Sequence, residues 1–516
     1  MADDRPAFSV VEQAQLQQAV AFLHAGQLEQ SRALCQALLK TNSRQPDALH
    51  ILGILAHQSG RLDDARRLIA KAISVGAPKA IFHSNLGNVL QDLQRPRNAL
   101  ESYDRALALQ PDLAATHYNR ALVLDALGRY GEAVDAFDRA IALDGGFAAA
   151  HFDRGNALVR HGRRGEALGS YQRAVALDPG HTEARKSILW LAITDPSPDT
   201  DLETLITETC AATVAAEANA LVAAGTIPTF RVHHDAEQSA YLLAQGHEDM
   251  RQAHEALKGI AAREAHGGEF QLLDSEIATI NHARGRVLRQ EVGDDLTHLL
   301  NPGNDWAALE KQYLSGTPEV VVIDELLTGP ALLALRRFCL ASTVWRSEYD
   351  NHYLGAFAAD GFVNPLLLRI AEELRERMPR IFFPHPLEQL WAFKYDSRMR
   401  RGINVHADFA RVNLNFWITP DEANLDPSSG GLVVYDVPAP TSWTFQEYNN
   451  DSKRIHDFLK TRRSKKRVVP YRCNRAVLFN SNLFHETDAI HFKEGYENRR
   501  INITYLFGRG PAGEAA

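Results

Sequence analysis

A spacing of 34 residues recurs through the first third of the chain and constrains its fold more than any other feature. Three sets of positions carry it: Gly26, Gly60, Gly128 and Gly162 with Gln94 in the missing place; Gly53, Gly87, Ala121 and Gly155; and Ile69, Tyr103, Phe137 and Tyr171. Repeats of this length cannot bury their apolar faces singly, so they must stack. A small residue where two helices cross lets them approach closely. The pattern therefore predicts a stacked array of helix pairs.

The agreement of several positions in one register resembles the tetratricopeptide repeat (TPR) family. The resemblance implies an α-solenoid over residues 14–184, with four full repeats after a degenerate first one near 14–46. Asn85, Asn119 and Asp153 share one position on successive first helices. In the TPR family that position often faces the groove and binds an extended peptide, which implies a protein or peptide partner. The alternative is that these three are ordinary exposed helix residues.

Length and composition limit the possible classes of protein. A chain of 516 residues with 45% apolar and 23% charged residues is predicted to be a soluble multidomain α + β protein. Its net charge of −8 gives no indication of a nucleic-acid or anionic-membrane partner. We expect no signal peptide and no membrane span. Four widely separated cysteines predict reduced thiols and a cytoplasmic location.

Residues 185–316 read as a helical linker region. Turn residues at Asp195-Pro-Ser-Pro precede predicted helices at 201–224, 235–264 and 272–300, and no strand pattern is visible. The sequence His233-His234-Asp235 has the form of a metal-binding pair. However, Asp235 and Gln238 fit a helix N-cap and capping box better, so we do not expect a metal there.

Short strands separated by turns follow from residue 317 onward. A strand at 319–324 and helices at 328–341 and 364–378 come first. The predicted strands after them are 388–395, 403–408, 411–419, 431–437, 467–471, 475–481 and 499–507. Strands of this length predict a sandwich or barrel.

Two histidines and an aspartate in this region have the composition of a metal site. His406 and Asp408 are two residues apart, so on an extended strand they project to the same side. His485 follows Asp408 by 77 residues. Two histidines and one carboxylate form the facial triad that holds non-haem Fe(II) and leaves positions open.

Alternation along two strands predicts which faces line a pocket. Arg411, Asn413, Asn415 and Trp417 share one side of the first strand, opposite Val412, Leu414, Phe416 and Ile418. On the last strand, Arg500 lies with Asn502 and Thr504, whereas Arg499 lies with Ile501 and Ile503. A guanidinium binds a carboxylate through two parallel hydrogen bonds, so Arg500 is the predicted carboxylate ligand, with Arg499 as the alternative.

These motifs, in this order, resemble the Fe(II)/2-oxoglutarate-dependent dioxygenases of the prolyl-hydroxylase-like branch over residues 317–510. The resemblance implies a double-stranded β-helix, or jelly roll. It also implies Fe(II) on His406, Asp408 and His485, with 2-oxoglutarate and O2 as co-substrates. Arg500 and Tyr395 would contact 2-oxoglutarate, and Asn415 faces the same pocket. Gly430-Gly431 matches the family's glycine pair, which we interpret as structural.

The expected activity is hydroxylation of a protein or peptide side chain recruited by the TPR array. Two alternatives remain open: an oxygenase acting on a small molecule or carrier-bound metabolite, with the array as scaffold, and a non-catalytic interaction protein. Residues 438–470 form an insertion with the basic run Lys460–Arg467. It is either solvated surface, or a lid or docking site for an acidic substrate.

Overall fold

The computed structural model describes residues 10–195, 200–284, 288–290, 296–349, 352–396 and 402–510. The chain forms two compact units, Met1–Pro179 and Gly180–Ala516. Residues 185–316, which the sequence sets apart as a linker, lie within the second unit.

The first unit consists of helices in its described part. They are α1 (Val10–His24), α2 (Leu28–Thr41), α3 (Pro46–Gln58), α4 (Leu62–Val75), α5 (Ala80–Asp92), α6 (Pro96–Leu109), α7 (Ala114–Ala126), α8 (Tyr130–Leu143), α9 (Ala148–Arg160) and α10 (Arg164–Leu177). Each helix packs against the next, most extensively within the pairs α3–α4, α5–α6, α7–α8 and α9–α10. The predicted array of helix pairs is therefore confirmed.

The small and large residues of the repeat meet where the two helices of a pair cross. A Cβ atom added to Gly87 would lie 2.4 Å from the Tyr103 ring, and one added to Gly155 would lie 2.5 Å from the Tyr171 ring. Carbon atoms cannot approach so closely, so any larger residue would force the helices apart. The periodic glycines thus set the helix–helix distance.

The second unit contains both helices and strands. Its helices are α11 (Thr182–Thr194), α12 (Leu202–Ala224), α13 (Thr229–Ala244), α14 (Arg251–Ala261), α15 (Asp274–Arg284), α16 (Trp306–Ser315), α17 (Gly329–Ala341), α18 (Pro365–Arg377), α19 (Pro379–Phe382), α20 (Phe445–Asn449) and α21 (Ser452–Thr461). Its strands are β1 (Thr226–Pro228), β2 (Glu269–Gln271), β3 (Val320–Ile323), β4 (Ser347–Tyr349), β5 (Tyr353–Phe357), β6 (Leu387–Tyr395), β7 (Ala410–Trp417), β8 (Leu432–Pro438), β9 (Lys466–Val469), β10 (Ala476–Asn480), β11 (Leu483–Thr487) and β12 (Ile501–Arg509).

The strands pair into antiparallel sheets. One has seven strands in the order β3-β10-β7-β12-β6-β5-β4, one has three in the order β11-β8-β9, and β1 pairs with β2. The predicted strand at 403–408 is wrong: in this stretch the structure has only an isolated bridge between His406 and His485. The expectation of no strand before residue 317 is also wrong, because β1 and β2 lie there.

One apolar core joins the helices of the second unit to the large sheet. Leu189 of α11, Ile206 of α12 and Phe230 of α13 belong to the same buried cluster as Val412 and Phe416 of β7. Leu414 and Ile418 are in this cluster too, which confirms the predicted core side of that strand. Burial of this face leaves the opposite face of β7 to line the site.

Asp235 does not cap a helix, contrary to the sequence interpretation. It lies inside α13, is 8% exposed and contacts Arg231 and Arg284, each through an Oδ2–nitrogen distance of 3.0 Å. Its burial favours the neutral form, but the two arginines outweigh this and hold the pKa of Asp235 well below its usual range. The residue is thus part of a buried ionic network.

All four cysteines are free. Among the described helices, none combines the length and the hydropathy that a membrane span requires.

Candidate metal centre

His406, Asp408 and His485 converge at one point between the two larger sheets. His485 lies on β11, and the segment before β7 carries the other two. The His406 amide donates to the His485 carbonyl at 2.9 Å, and the His485 amide donates back at 2.8 Å. This reciprocal pair fixes the two histidines side by side, with ring centroids 4.3 Å apart.

The potential ligand atoms are close enough to share one ion. The distance from His485 Nε2 to Asp408 Oδ2 is 3.4 Å, and that from His406 Nε2 to Asp408 Oδ1 is 3.8 Å. Atoms about 2.1 Å from a common metal lie ~3–4 Å apart, depending on the angle between them. Within the described ranges, this is the one group of three or more such side chains.

Both imidazoles have their outer nitrogen engaged by the backbone. His406 Nδ1 lies 2.8 Å from the Asn404 carbonyl, and His485 Nδ1 lies 2.9 Å from the Leu483 carbonyl. A carbonyl only accepts, so each Nδ1 must carry the proton and each neutral Nε2 presents a lone pair. The tautomers therefore suit metal binding.

The charge states of two ligands also suit a cation. Burial lowers the pKa of His406 to about 4, which keeps its ring neutral near pH 7. Burial would raise the pKa of Asp408, but the neighbouring His485, His406 and Asn413 side chains outweigh it and lower that pKa. Asn413 Nδ2 donates to Asp408 Oδ2 at 2.9 Å. The sequence placed Asn413 on this face by alternation but gave it no role.

The ligands line a cavity whose other walls include the predicted co-substrate residues. Its lining residues are Trp391, Phe393, Tyr395, Ile403, His406, Asp408, Asn413, Asn415, Leu432, His485, Thr487, Arg500, Asn502 and Thr504. The structure thus brings together all six residues that the sequence assigned to the metal and its co-substrate.

Arg500 is buried in this cavity without a carboxylate. It is 2% exposed. It donates to the carbonyls of Gly430 and Gly431 and to Asn502 Oδ1, at 2.7, 3.3 and 3.2 Å, and no acidic side chain pairs with it among the described residues. These bonds use three of its five N–H donors. Burial lowers the pKa of Arg500, so an anion in the cavity would restore the stabilisation that water no longer gives.

The glycine pair supports this arginine as well as the bend of the chain. Gly430 has φ of +81°, and a Cβ on Gly431 would lie 1.9 Å from the Val469 carbonyl oxygen. A side chain would be strained at Gly430 and would have no room at Gly431. The resulting backbone path aims two carbonyls at Arg500, a role that the sequence interpretation missed.

Arg499 faces away from the cavity. Its Nε lies 2.7 Å from Glu237 Oε2, and its Nη1 lies 3.7 Å from Asp396 Oδ2. It is 3% exposed. The two arginines therefore lie on opposite faces of the strand, as the alternation predicts, and both are buried.

Several polar atoms in the cavity have no hydrogen-bond partner among the described residues. They include Tyr395 Oη, Asn413 Oδ1 and Asn415 Oδ1, all buried. Asn415 Nδ2 donates to Thr504 Oγ1 at 2.9 Å, which fixes the orientation of the amide. Buried polar atoms are rarely left unpaired, so this cavity has the character of a polar ligand site.

A wider cavity of about 450 Å³ adjoins the metal ligands, and we call it the mouth. Tyr349, Tyr353 and Phe357 line one side of it, and the insertion supplies Phe445, Asn449, Asn450 and Ser452. Asn449 Nδ2 donates to the Ala407 carbonyl at 3.1 Å, and the Ala407 amide donates to the Tyr448 carbonyl at 3.0 Å. The insertion thus contacts the ligand segment directly, which no local sequence signal reveals.

The three periodic polar residues of the first unit are half-buried and bonded between repeats. Asn85 Nδ2 lies 2.9 Å from His50 Nε2, and Asn119 Nδ2 donates to Asn88 Oδ1 at 3.0 Å. Asp153 Oδ2 accepts from the Tyr118 hydroxyl at 2.7 Å. These bonds connect first helices of successive repeats, so the three residues are not simply exposed helix positions.

Comparison with known proteins bears on the first unit and α11. One tetratricopeptide-repeat family model matches residues 79–145, and a second matches 16–81, 118–182 and 152–194. No curated protein matches the chain.

Several solved structures are similar to about a third of the chain. YrrB, described as a TPR protein with an unusual peptide-binding site, is 24% identical over 33% of this chain and 88% of its own, with a TM-score of 0.30. A MamA structure is 22% identical over 33% of this chain and 94% of its own, with a TM-score of 0.30. PilF of Pseudomonas aeruginosa is 18% identical over 38% of this chain and 89% of its own, with a TM-score of 0.35. The family matches and the helix pairs together identify residues 16–194 as tetratricopeptide repeats.

Proposed function

We propose that the second unit is an Fe(II)- and 2-oxoglutarate-dependent oxygenase that hydroxylates a protein or peptide side chain. The observation that carries this proposal is that one cavity contains both a His-Asp-His ligand set and a buried arginine with no carboxylate partner among the described residues. A metal and a dicarboxylate together would satisfy both features. Neither alone would.

The order of the strands supports a jelly-roll fold. In chain order, β6 and β7 lie in the seven-stranded sheet, β8 and β9 in the three-stranded sheet, β10 in the first, β11 in the second and β12 in the first. The His406 segment between β6 and β7 bridges to β11. Repeated passage between two facing antiparallel sheets is the pattern of a double-stranded β-helix.

The donor set fits Fe(II) in its chemistry. Two imidazole nitrogens and one carboxylate bind one face of an octahedral ion and leave the opposite face open. The Nδ1–H bonds to backbone carbonyls hold both rings in the required tautomer. His406, Asp408 and His485 would hold the metal, and Asn413 would keep the Asp408 carboxylate in place.

The remaining cavity residues fit a dicarboxylate. The free donors of Arg500 suit the carboxylate distant from the metal, with Tyr395 Oη and Thr504 close by in the lining. Asn415 contributes an unpaired carbonyl oxygen, which suits a bound water rather than an anion. Arg500 would therefore bind and orient the co-substrate.

When bound, iron with 2-oxoglutarate and O2 supplies the oxidising power for hydroxylation of a C–H bond. The protein itself positions the reactants. Trp391 and Phe393 border both the inner cavity and the mouth, so they would limit the access of water to the metal ligands. The TPR array would recruit the polypeptide, as arrays of this kind bind peptides or proteins.

The proposal is tested by metal binding and by substrate-free turnover. Purified metal-free chain should bind one Fe(II) per molecule under anaerobic conditions and release succinate from 2-oxoglutarate in air. His406→Ala should lose both, because one ligand of three is removed. His233→Ala, which changes a histidine outside the cavity, should retain both. Full metal content in His406→Ala would refute the site. Metal binding without any succinate release would favour a non-catalytic role.

A further inference from the structure

Residues 460–467 of the insertion form a dense positive surface. We define the basic surface as Lys460, Arg462, Arg463, Lys465, Lys466 and Arg467, which join α21 to β9. All six are exposed, and none forms an ion pair among the described residues. The chain as a whole has a net charge of −8, so this surface is a local exception. Like charges held together repel one another, and an anionic partner would relieve that repulsion.

The backbone under the basic surface is held in place. Asp436 Oδ1 accepts from the Lys465 amide at 2.8 Å and from Ser464 Oγ at 3.0 Å. Arg467 Nη1 donates to the Val320 carbonyl at 3.2 Å. These bonds engage the loop while leaving the lysine side chains in solvent. The basic side chains therefore project from a loop that these hydrogen bonds hold in place.

Helix α21 separates the basic surface from the mouth. Ser452, the first residue of α21, lines the mouth, and the basic surface begins near the other end of this helix of 10 residues. A helix of that length spans about 15 Å. An extended peptide covers the same distance in roughly four to five residues.

We propose that the basic surface docks an acidic stretch of the substrate polypeptide, about four to five residues from the side chain that enters the mouth. This inference rests on the proposed function. A polypeptide is favoured over a nucleic acid because the TPR repeats belong to a protein-binding family, and because the overall negative charge repels long polyanions.

Binding can be measured without turnover. The probe is a fluorescein-labelled 14-residue peptide with four consecutive glutamates, and a second peptide has glutamines instead. The metal-free full chain should bind the glutamate peptide about tenfold more tightly at low salt, with the difference falling to about threefold or less near 0.5 M salt. Lys465→Glu with Lys466→Glu should remove the preference. Lys258→Glu with Lys493→Glu, which makes the same charge change elsewhere, should preserve it.

Photo-crosslinking tests the proposed spacing between the acidic stretch and the side chain that enters the mouth. A benzoylphenylalanine placed four or five residues from the glutamates should crosslink to the mouth, within Tyr349, Tyr353–Phe357 or Phe445–Ser452. The same group placed next to the glutamates should not.

Equal binding of the two peptides, crosslinks away from the mouth, or tighter binding of a DNA oligonucleotide or a phosphatidylserine vesicle would overturn the inference. None of these readouts needs iron or 2-oxoglutarate, so a failed succinate assay would not be mistaken for failed docking. The variant with Lys465→Glu and Lys466→Glu should release succinate at the wild-type rate.

Discussion

At the scale of single residues, two neighbouring arginines have opposite environments. Arg500 lies in the candidate site with free donors, whereas Arg499 is held by Glu237 and Asp396. Alternation along a strand separates the two, because adjacent side chains point to opposite faces. A shift of one residue in the register would exchange their roles.

Substitution of these arginines should give distinct results. Arg500→Lys should raise the KM for 2-oxoglutarate by about 10²-fold, because an ammonium keeps the charge but loses the planar pair of donors. Arg500→Ala should raise it further, since a buried pair loses ~3–5 kcal/mol when one partner is removed. Fe(II) content should stay near normal in Arg500→Lys.

Arg499→Ala serves as the matched control. It should leave that KM nearly unchanged but lower the free energy of unfolding by about 1–3 kcal/mol, because Glu237 and Asp396 lose a charged donor. A 2-oxoglutarate titration and thermal denaturation of the three variants measure both effects. A large KM change in Arg499→Ala alone would show that the assignment of faces is wrong.

At the scale of elements, the ligand segment depends on its neighbours. Residues 402–409, which precede β7, form no strand of their own, and β11 and α20 supply contacts that hold them. Val405, Ala407, Tyr448 and Ile455 share one buried cluster. The insertion is therefore part of the support for the metal ligands.

Asn449→Ala should weaken Fe(II) affinity by about tenfold, as supporting residues around metal ligands commonly do. The reason is that the Ala407 carbonyl, between the two ligands His406 and Asp408, loses its side-chain donor. Asn450→Ala is the control, because Asn450 Nδ2 donates to Gln446, within the insertion itself. Anaerobic Fe(II) titration measures the effect. Equal affinities for the two variants would exclude a positioning role for Asn449.

A turn of the TPR array offers a test of the repeat pattern. Gln94 has φ of +57° where the other repeats have glycine at +71° to +82°. A residue with a Cβ is strained in this conformation, so Gln94→Gly should stabilise the first unit by about 0.5–1 kcal/mol. Glu101→Gly, within α6, should destabilise it by about 1 kcal/mol. Urea denaturation followed by circular dichroism compares them. Destabilisation by Gln94→Gly would contradict the repeat register.

At the scale of the whole molecule, each of the two units contains apolar clusters among its described residues. Three clusters of the first unit lie within α1–α5, and the main cluster of the second unit extends from α11 to β12. The structure divides the chain into two units at Pro179, whereas the sequence predicts three parts with a linker at 185–316.

The two units should fold independently. A fragment of residues 10–179 should give a helical circular dichroism spectrum with cooperative unfolding. A fragment of residues 180–510 should bind Fe(II) like the full chain, whereas a fragment that begins at residue 317 should aggregate, because it lacks the residues of α11–α13 that belong to the main apolar cluster. Sedimentation and metal titration of the three fragments measure this. A soluble metal-binding fragment from residue 317 would contradict the shared core.

The sequence alone determined the features that depend on local periodicity. The repeat of 34 residues predicted the helix pairs, and alternation along β7 and β12 predicted which side chains share a face with His406 and Asp408. Long-range packing decided the rest. It placed His406 and Asp408 on a non-strand segment, put Asp235 in a buried ionic network and joined residues 185–316 to the second core. Such contacts link residues far apart in the chain, and spacing along the sequence carries no record of them.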